Sequence, residues 1–405
     1  MPIFRGPILN PQSENQCNFY KDGGVLVGDD GKIEAVGDFD SIEETRGEVT
    51  EITDGVIVPA FVDVHVHMPQ NHVRGQFAGQ LLPWLQNCIW PEEAGFRDPR
   101  VADEKAKKFY QDLAGQGTLL SLVYATIHEH ALHSTFAHKI GDTIAGNVLM
   151  DENSPDYLSQ STEEAIAITE RCAREYGEHF AVTPRFAPTC TMELMMAVGE
   201  IARQYRTWIQ SHLSENLDEV KWVSELFPDC DSYTDVYQKA GLLSPRTIMA
   251  HCIHLSDEEL DILKETGTKI AHCPTSNIAL GSGRMPVEKI RKWGIPFALG
   301  SDVGAGPSLS LLHVMQKYME QHAEANVEAT PQDALYRATL AGAELLDRGD
   351  KMGNLDIGKE ANLVIVKTDE QPKDAEGAIR DIVSGSMEEL EGKVEKVYFQ
   401  GKEVV

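Results

Sequence analysis

The sequence predicts an α/β protein built as a (β/α)8 TIM barrel, with a small β domain formed from the N- and C-terminal segments. Three observations carry that expectation. Eight short apolar runs alternate with helical stretches through the middle of the chain, as parallel strands buried on both faces do. Ligand-type residues stand at the C-terminal ends of several of those runs, the face on which such barrels build their sites. The two ends of the chain lack the alternation and read as hairpin strands.

The expected barrel strands are Ile57–His65, Thr118–Ile127, Ala145–Met150, Phe180–Phe186, Thr207–His212, Arg246–His251, Thr268–Cys273 and Ile295–Ser301. Between the first two, Ala102, Ala106, Phe109, Tyr110 and Leu113 recur at helical spacing, and Gly115 and Gly117 supply the stop. Ser161 with Glu164 and Ser256 with Glu259 read as capping boxes, and Thr330 with Pro331 as an N-cap followed by proline. Near the start, Val25-Leu26-Val27, Asp30-Gly31 and Ile33-Glu34-Ala35-Val36-Gly37 read as a hairpin. At the far end Ala361–Val366 and Val394–Phe399 read as strands, and Gly401-Lys402 turns into Glu403-Val404-Val405. Residues 1–57 and 351–405 are therefore assigned to the small β domain and 58–350 to the barrel, with Asp350–Gly358 as the return linker. A doubly wound open sheet is the rival fold. It would gather its polar residues at one switch point, whereas here they crowd the ends of strands one, two, four, five, six and eight.

Composition narrows the function. The chain has 405 residues, which suits one large domain and a small one. Lys plus Arg total 36 and Asp plus Glu total 64, and the net charge of −28 repels nucleic acid and anionic membranes. A small neutral or cationic substrate is compatible with such a surface. The seven cysteines are odd in number, widely spaced and free of C-x-x-C, which predicts reduced thiols in a cytoplasm. Met1-Pro2-Ile3-Phe4-Arg5 lacks a signal-peptide core, and no apolar run is long enough for a membrane span.

The first strand ends Asp63-Val64-His65-Val66-His67, and residues two apart on a strand point the same way. His212 ends the fifth strand, His251 ends the sixth, and Asp302 follows the eighth. Four strand ends in the order His-x-His, His, His, Asp predict a site for one divalent metal ion. Imidazole and carboxylate donors without thiolates suit Zn²⁺, with Fe²⁺ or Mn²⁺ as alternatives. His128, His130, His133 and His138 after the second strand read as lining or solvated residues, and His254 and His272 as structural ones.

This arrangement resembles the amidohydrolase superfamily over nearly the whole chain. The resemblance implies that His65, His67, His212 and Asp302 bind a single metal and that His251 orients the attacking water. The fourth strand ends Thr183-Pro184-Arg185-Phe186 without a lysine, so the binuclear form with a bridging carboxylated lysine is not expected. His212-Leu213-Ser214-Glu215 resembles the deaminase branch of that superfamily. Deamination needs a proton taken from water and passed to departing ammonia, which makes Glu215 the expected shuttle and Asp302 its base partner.

His67-Met68-Pro69-Gln70, Thr183–Cys190, Gln210–Asn216 and Ala271–Asn277 are together similar to the guanine deaminases. That similarity implies hydrolytic deamination of guanine to xanthine and ammonia, with Gln70, Arg185, Phe186, His212, Glu215 and Asp302 against the substrate. Gln70 offers a donor and an acceptor to a lactam edge, Arg185 a planar fork for O6 and N7, and Phe186 a stacking face. Two positions depart from that family. Cys252 stands where glycine is common, and Ser301 where threonine is more usual. The alternatives are another aminated ring (a pterin, an adenosine derivative or cytosine) or a non-catalytic scaffold without metal. A homodimer is also implied by the resemblance.

Overall fold

The computed structural model describes residues 2–42, 47–77 and 81–405. Met1 and residues 43–46, within the expected N-terminal segment, and 78–80, within the expected barrel, lie outside the described residues.

Strands from both ends of the chain share one eight-stranded sheet. The N-terminal members are β1 (Ile3–Ser13), β2 (Gln16–Val27), β3 (Ile33–Asp38), β4 (Val49–Glu51) and β5 (Gly55–Pro59). The parallel strands follow: β6 (Phe61–His67), β7 (Thr118–Tyr124), β8 (Asp142–Gly146), β9 (Val148–Leu149), β10 (Ala181–Pro184), β11 (Trp208–Leu213), β12 (Thr247–His251), β13 (Lys269–His272) and β14 (Phe297–Leu299). The C-terminal members of the first sheet are β15 (Leu363–Lys367), β16 (Val394–Phe399) and β17 (Lys402–Glu403).

The expected hairpin is β2 against β3, with Leu26 opposite Ala35 and Gly31 at φ +77° in the turn. β1, which pairs with β2 along most of its length, was not anticipated. Gly6, Pro7 and Pro11 interrupt its apolar alternation, and the ladder shifts register at Gly6/Ile8 and Pro11/Ser13.

Each expected barrel strand has a counterpart, with two differences. The run Ile57–His65 is two strands. β5 belongs to the terminal sheet, where Pro59 pairs with Leu363 of β15. Proline has no N–H with which to extend a ladder, so β5 ends there and β6 starts afresh at Phe61. The third run is interrupted at Asn147, so that β8 lies in a three-stranded parallel sheet with β6 and β7, and β9 in a six-stranded one with β10–β14. The two sheets touch on both sides. Ala145 bridges to Phe180. On the other side, the Asp302 N–H donates to the His65 carbonyl and the His67 N–H to the Val303 carbonyl, each at 2.9 Å. The result is a TIM-barrel-like α/β fold whose parallel strands fall into two sheets rather than one continuous ladder.

Helices cover the strands as their caps predict. Pro99–Gly115 is capped by Asp98 and buries Ala102, Ala106, Phe109, Tyr110 and Leu113. The Ser256–Glu259 box is complete, and Thr330 caps with Pro331 in the first turn. Ser161 accepts from the Glu164 N–H, which is half of the box expected there. A separate apolar cluster including Trp84, Leu85, Tyr124, Phe186, Leu280 and Ala305 packs beside the C-terminal ends of the strands. Among the described residues no helix is long and apolar enough to cross a membrane, and all seven cysteines are unpaired.

At the opposite ends of the strands, Asp142 opens β8 and meets Arg348 Nε at 2.7 Å and His179 Nδ1 at 3.2 Å. Burial pushes the Asp142 carboxyl up, but His179 and Arg348 outweigh it and hold the group well below the usual carboxylate range. Arg348→Met should therefore cost about 2–4 kcal/mol in urea unfolding at neutral pH. A depressed native pKa contributes stability above the unfolded value of about 4 and loses it as the pH falls, so the deficit should shrink in acid. A deficit that stays constant from pH 7 to pH 3 would contradict this account.

Candidate active site

The side chains at the strand ends converge on one buried carboxylate. Asp302 Oδ1 lies 3.1 Å from His65 Nε2 and 3.3 Å from His67 Nε2, and Oδ2 lies 3.8 Å from His251 Nε2. His212 Nε2 is 3.3 Å from His67 Nε2. Ligand atoms of His65, His212, His251 and Asp302 all fall within 4.8 Å of one another, a spacing that one metal ion can bridge. His67 Nε2 adjoins this group, 3.3 Å from both Asp302 Oδ1 and His212 Nε2, and His251 is as well placed to reach an ion as to orient water.

The ring tautomers follow from the outer partners. His212 Nδ1 donates to the Arg185 carbonyl at 2.6 Å and His251 Nδ1 to Asn277 Oδ1 at 2.9 Å, so both Nε2 lone pairs face inward. The Nε2 atoms of His65 and His251 are buried without a hydrogen-bond partner. Burial brings His67 down to about 3, and burial with the nearby His65 and His67 holds His212 well below its ordinary value. Those two rings are therefore uncharged at neutral pH. Burial pushes Asp302 up, but His65, His67 and His251 around it keep it far below the usual range. Inward imidazole lone pairs, orphaned ring nitrogens and one anionic oxygen pair make a donor set that a divalent cation satisfies.

The backbone is shaped to bring these ends together. Asp63 is buried and accepts from Ser301 Oγ at 2.5 Å, Ser301 N at 3.0 Å and His65 N at 3.2 Å. Burial still raises its carboxyl to about 6. Gly300 is needed at the same seam, because a Cβ there would stand 2.8 Å from the His65 Cβ. Ser214, His251, Cys252 and Asp302 all take φ between +50° and +70°, a region that L-residues adopt at a cost of about 1–3 kcal/mol each. The cysteine that replaces a common glycine thus carries a backbone cost. It is buried and does not line the pocket.

One pocket is lined by His67, His212, His251 and Asp302, by Glu215, and by Gln70, Arg185 and Phe186, so the structure brings the predicted residues together. Glu215 Oε2 lies 3.5 Å from His251 Nε2, and its Oε1 accepts from Ser282 Oγ at 3.0 Å. Burial and then the Asp302 charge raise its carboxyl to about 8. Three buried carboxylates join the site without a sequence motif that marks them as site residues. Asp63 reads in the sequence only as part of the strand. Glu219 accepts from the Glu215 N–H at 2.9 Å and the Asn216 N–H at 3.1 Å, and Tyr233 donates to it at 2.8 Å. The spacing Asn216-x-x-Glu219 is that of a capping box, and the structure completes it. Glu93 joins Gln70 and Arg185 and has no sequence signal beyond two adjacent glutamates in Trp90–Ala94.

The remaining histidines do not converge. His128 and His130 stack at 5.5 Å between centroids, His130 Nε2 donates to the Phe96 carbonyl, and His133 pairs with Tyr176 and His138 with Asp103. His254 donates to the Ser282 carbonyl and His272 meets His322.

Residues 56–404 match the sequence pattern described as the Amidohydrolase family. The chain belongs to that family. Within the family it is similar to guanine deaminases. It is 34% identical to guanine deaminase of Escherichia coli (strain K12) over 376 residues, covering 90% of this chain and 86% of that one. It is 35% identical to guanine deaminase of Dictyostelium discoideum over 396 residues, covering 90% and 88%. The crystal structure of guanine deaminase from C. acetobutylicum, with guanine bound in the active site, matches at a TM-score of 0.91 and 32% identity, covering 100% of both chains.

Ser301→Ala leaves Asp63 with two of its three donors. It should cost about 1.5–3 kcal/mol in chemical denaturation, because the lost bond is to a buried charged group. An unchanged midpoint would show that the Asp63 seam does not hold the strand ends together.

Proposed function

We propose that this chain hydrolyses guanine to xanthine and ammonia. The observation that carries the reading is a single pocket with two unlike walls, a buried imidazole–carboxylate cluster and the Gln70–Arg185–Phe186 face, with the protonatable Glu215 beside the cluster. His65, His67, His212 and Asp302 would hold one divalent ion, Zn²⁺ by the chemistry of the donors, with Fe²⁺ as the alternative. When bound, the ion supplies the Lewis acidity that makes water a nucleophile at neutral pH.

The chain's own residues do the rest. His251 Nε2 and Asp302 Oδ2, 3.8 Å apart, orient one water at the carbon that bears the amino group. Glu215 takes up one water proton and delivers it to the departing nitrogen, and the other water proton ends on the ring nitrogen N3, so that water and guanine leave as ammonia and xanthine. Burial favours the protonated form of Glu215, so a proton taken from water is held until it is passed on. Gln70 reads the lactam edge, Arg185 meets O6 and N7, and Phe186 stacks on the ring. His212, Glu215 and Asp302 also touch the substrate from the cluster side.

The scaffold we propose for this chemistry is a (β/α)8 barrel over 58–350, with a small β domain from 1–57 and 351–405. The backbone bonds at Asp302 and His67 and the Ala145–Phe180 bridge support closure, and the shared terminal sheet supports the second unit. A cytoplasmic homodimer in guanine catabolism belongs to the same proposal, and the unpaired cysteines suit a reducing compartment.

Ammonia release should be measured over guanine, a pterin, adenosine and cytosine, with metal analysis on the same sample. Guanine should be the best substrate at about one ion per chain. No guanine turnover in protein with its metal in place would sink the proposal. Glu215→Gln should lower kcat by about 10²–10⁴-fold with metal retained. Arg185→Ala should sharply reduce guanine turnover at normal metal content, and unchanged turnover would remove Arg185 from the substrate wall.

A further inference from the structure

We infer that Glu93 is a positioning residue that sets specificity: it fixes the donor–acceptor order of Gln70 and cancels the charge of Arg185, so that the pocket takes a neutral oxopurine in preference to its anion. The inference rests on the proposed deamination for the identity of the substrate and deepens it by naming the charge state selected.

Glu93 is 1% exposed and is carried by the short helix Trp90–Ala94, whereas the other site residues lie on barrel strands or within a few residues of their C-terminal ends. Gln70 Nε2 donates to its Oε1 at 3.0 Å, and Arg185 Nη1 donates to its Oε2 at 2.6 Å. On the other side of the amide, Gln70 Oε1 accepts from the Gly304 N–H at 3.1 Å. A carboxylate only accepts and a peptide N–H only donates, so the Gln70 amide cannot flip. It is left with one N–H and one lone pair for a ligand. Arg185 spends Nη1 on Glu93 and keeps Nε and Nη2 for acceptors in the pocket.

The electrostatic consequence is the sharper one. Arg185 has a side chain 4% exposed, and a guanidinium buried alone would be strongly unfavourable. The Glu93 carboxylate makes the pair neutral overall. Guanine is neutral at physiological pH. Xanthine has a second carbonyl that stabilises its anion, so it loses a proton more readily. An unpaired Arg185 would hold that anion, whereas the paired one gives it no net charge to bind and favours release of product.

Glu93→Gln nearly preserves size, removes the charge and can satisfy only one of the two donors. Guanine KM should rise about tenfold with kcat within about threefold, and xanthine should bind about tenfold more tightly by calorimetry. The gain should grow as the pH rises through xanthine's own ionisation. Glu93→Asp keeps the charge and should retain the wild-type preference for guanine over xanthine, which also tests the idea if Glu93→Gln does not fold. Weaker binding of both ligands in Glu93→Gln, or no change in either, would overturn the inference, because a purely structural role does not invert the order. If wild-type protein releases no ammonia from guanine, the deamination reading fails. Xanthine calorimetry on the wild type and Glu93→Gln still decides the role of the Glu93 charge.

Discussion

A carboxylate taken out of water must be matched by partners or it unfolds its surroundings, and at Asp302 that requirement falls on strands from distant parts of the chain. Its two oxygens face His65 and His67 from β6 and His251 from β12. None of these meets it unless the end of β14 lies tightly against β6. The seam is made by Gly300, which leaves room for His65, by the Asp63 carboxylate drawing in Ser301, and by the backbone bonds of Asp302 and His67. Packing, hydrogen bonding and charge thus act at one place, and the site is a consequence of how the strands meet.

The pocket divides its electrostatic work. On one side, imidazoles kept neutral by burial present lone pairs beside an anion, an arrangement that attracts a cation. On the other, Arg185 and Glu93 cancel and leave directional donors with little net field. Glu215 stands by the charged side, where Asp302 adds to the burial that keeps its proton on. Strong charge is thereby confined to the side where bonds change, while recognition is done by geometry.

The parts of this design that are local were legible in the sequence. His65 and His67 show the strand period of two, and His212, His251 and Asp302 stand out because each ends or follows a short apolar run. Caps such as Ser256 and Thr330 carry their partners within one helical turn. What stayed hidden depends on distant partners. The division at Pro59 becomes visible only once β15 is known to pair with β5, some 300 residues later in the chain. Glu93 reads as an ordinary helix-start glutamate until Gln70 and Arg185 are found on either side of it. β1 was lost because its prolines break the pattern while its pairing survives through register shifts.

The left-handed backbone at Ser214, His251, Cys252 and Asp302 has a bearing on how this protein responds to selection. Glycine or asparagine would sit more comfortably at these positions. At His251 and Asp302 either replacement would also delete a side chain that the cluster needs. A population of variants propagated for heat resistance alone would therefore meet its easiest gains where function is concentrated, and would grow more robust as it fell silent. Ser214 and Cys252 are the exceptions. They have the same backbone cost but do not line the pocket, so they are the positions among these four where durability can improve without loss of the site.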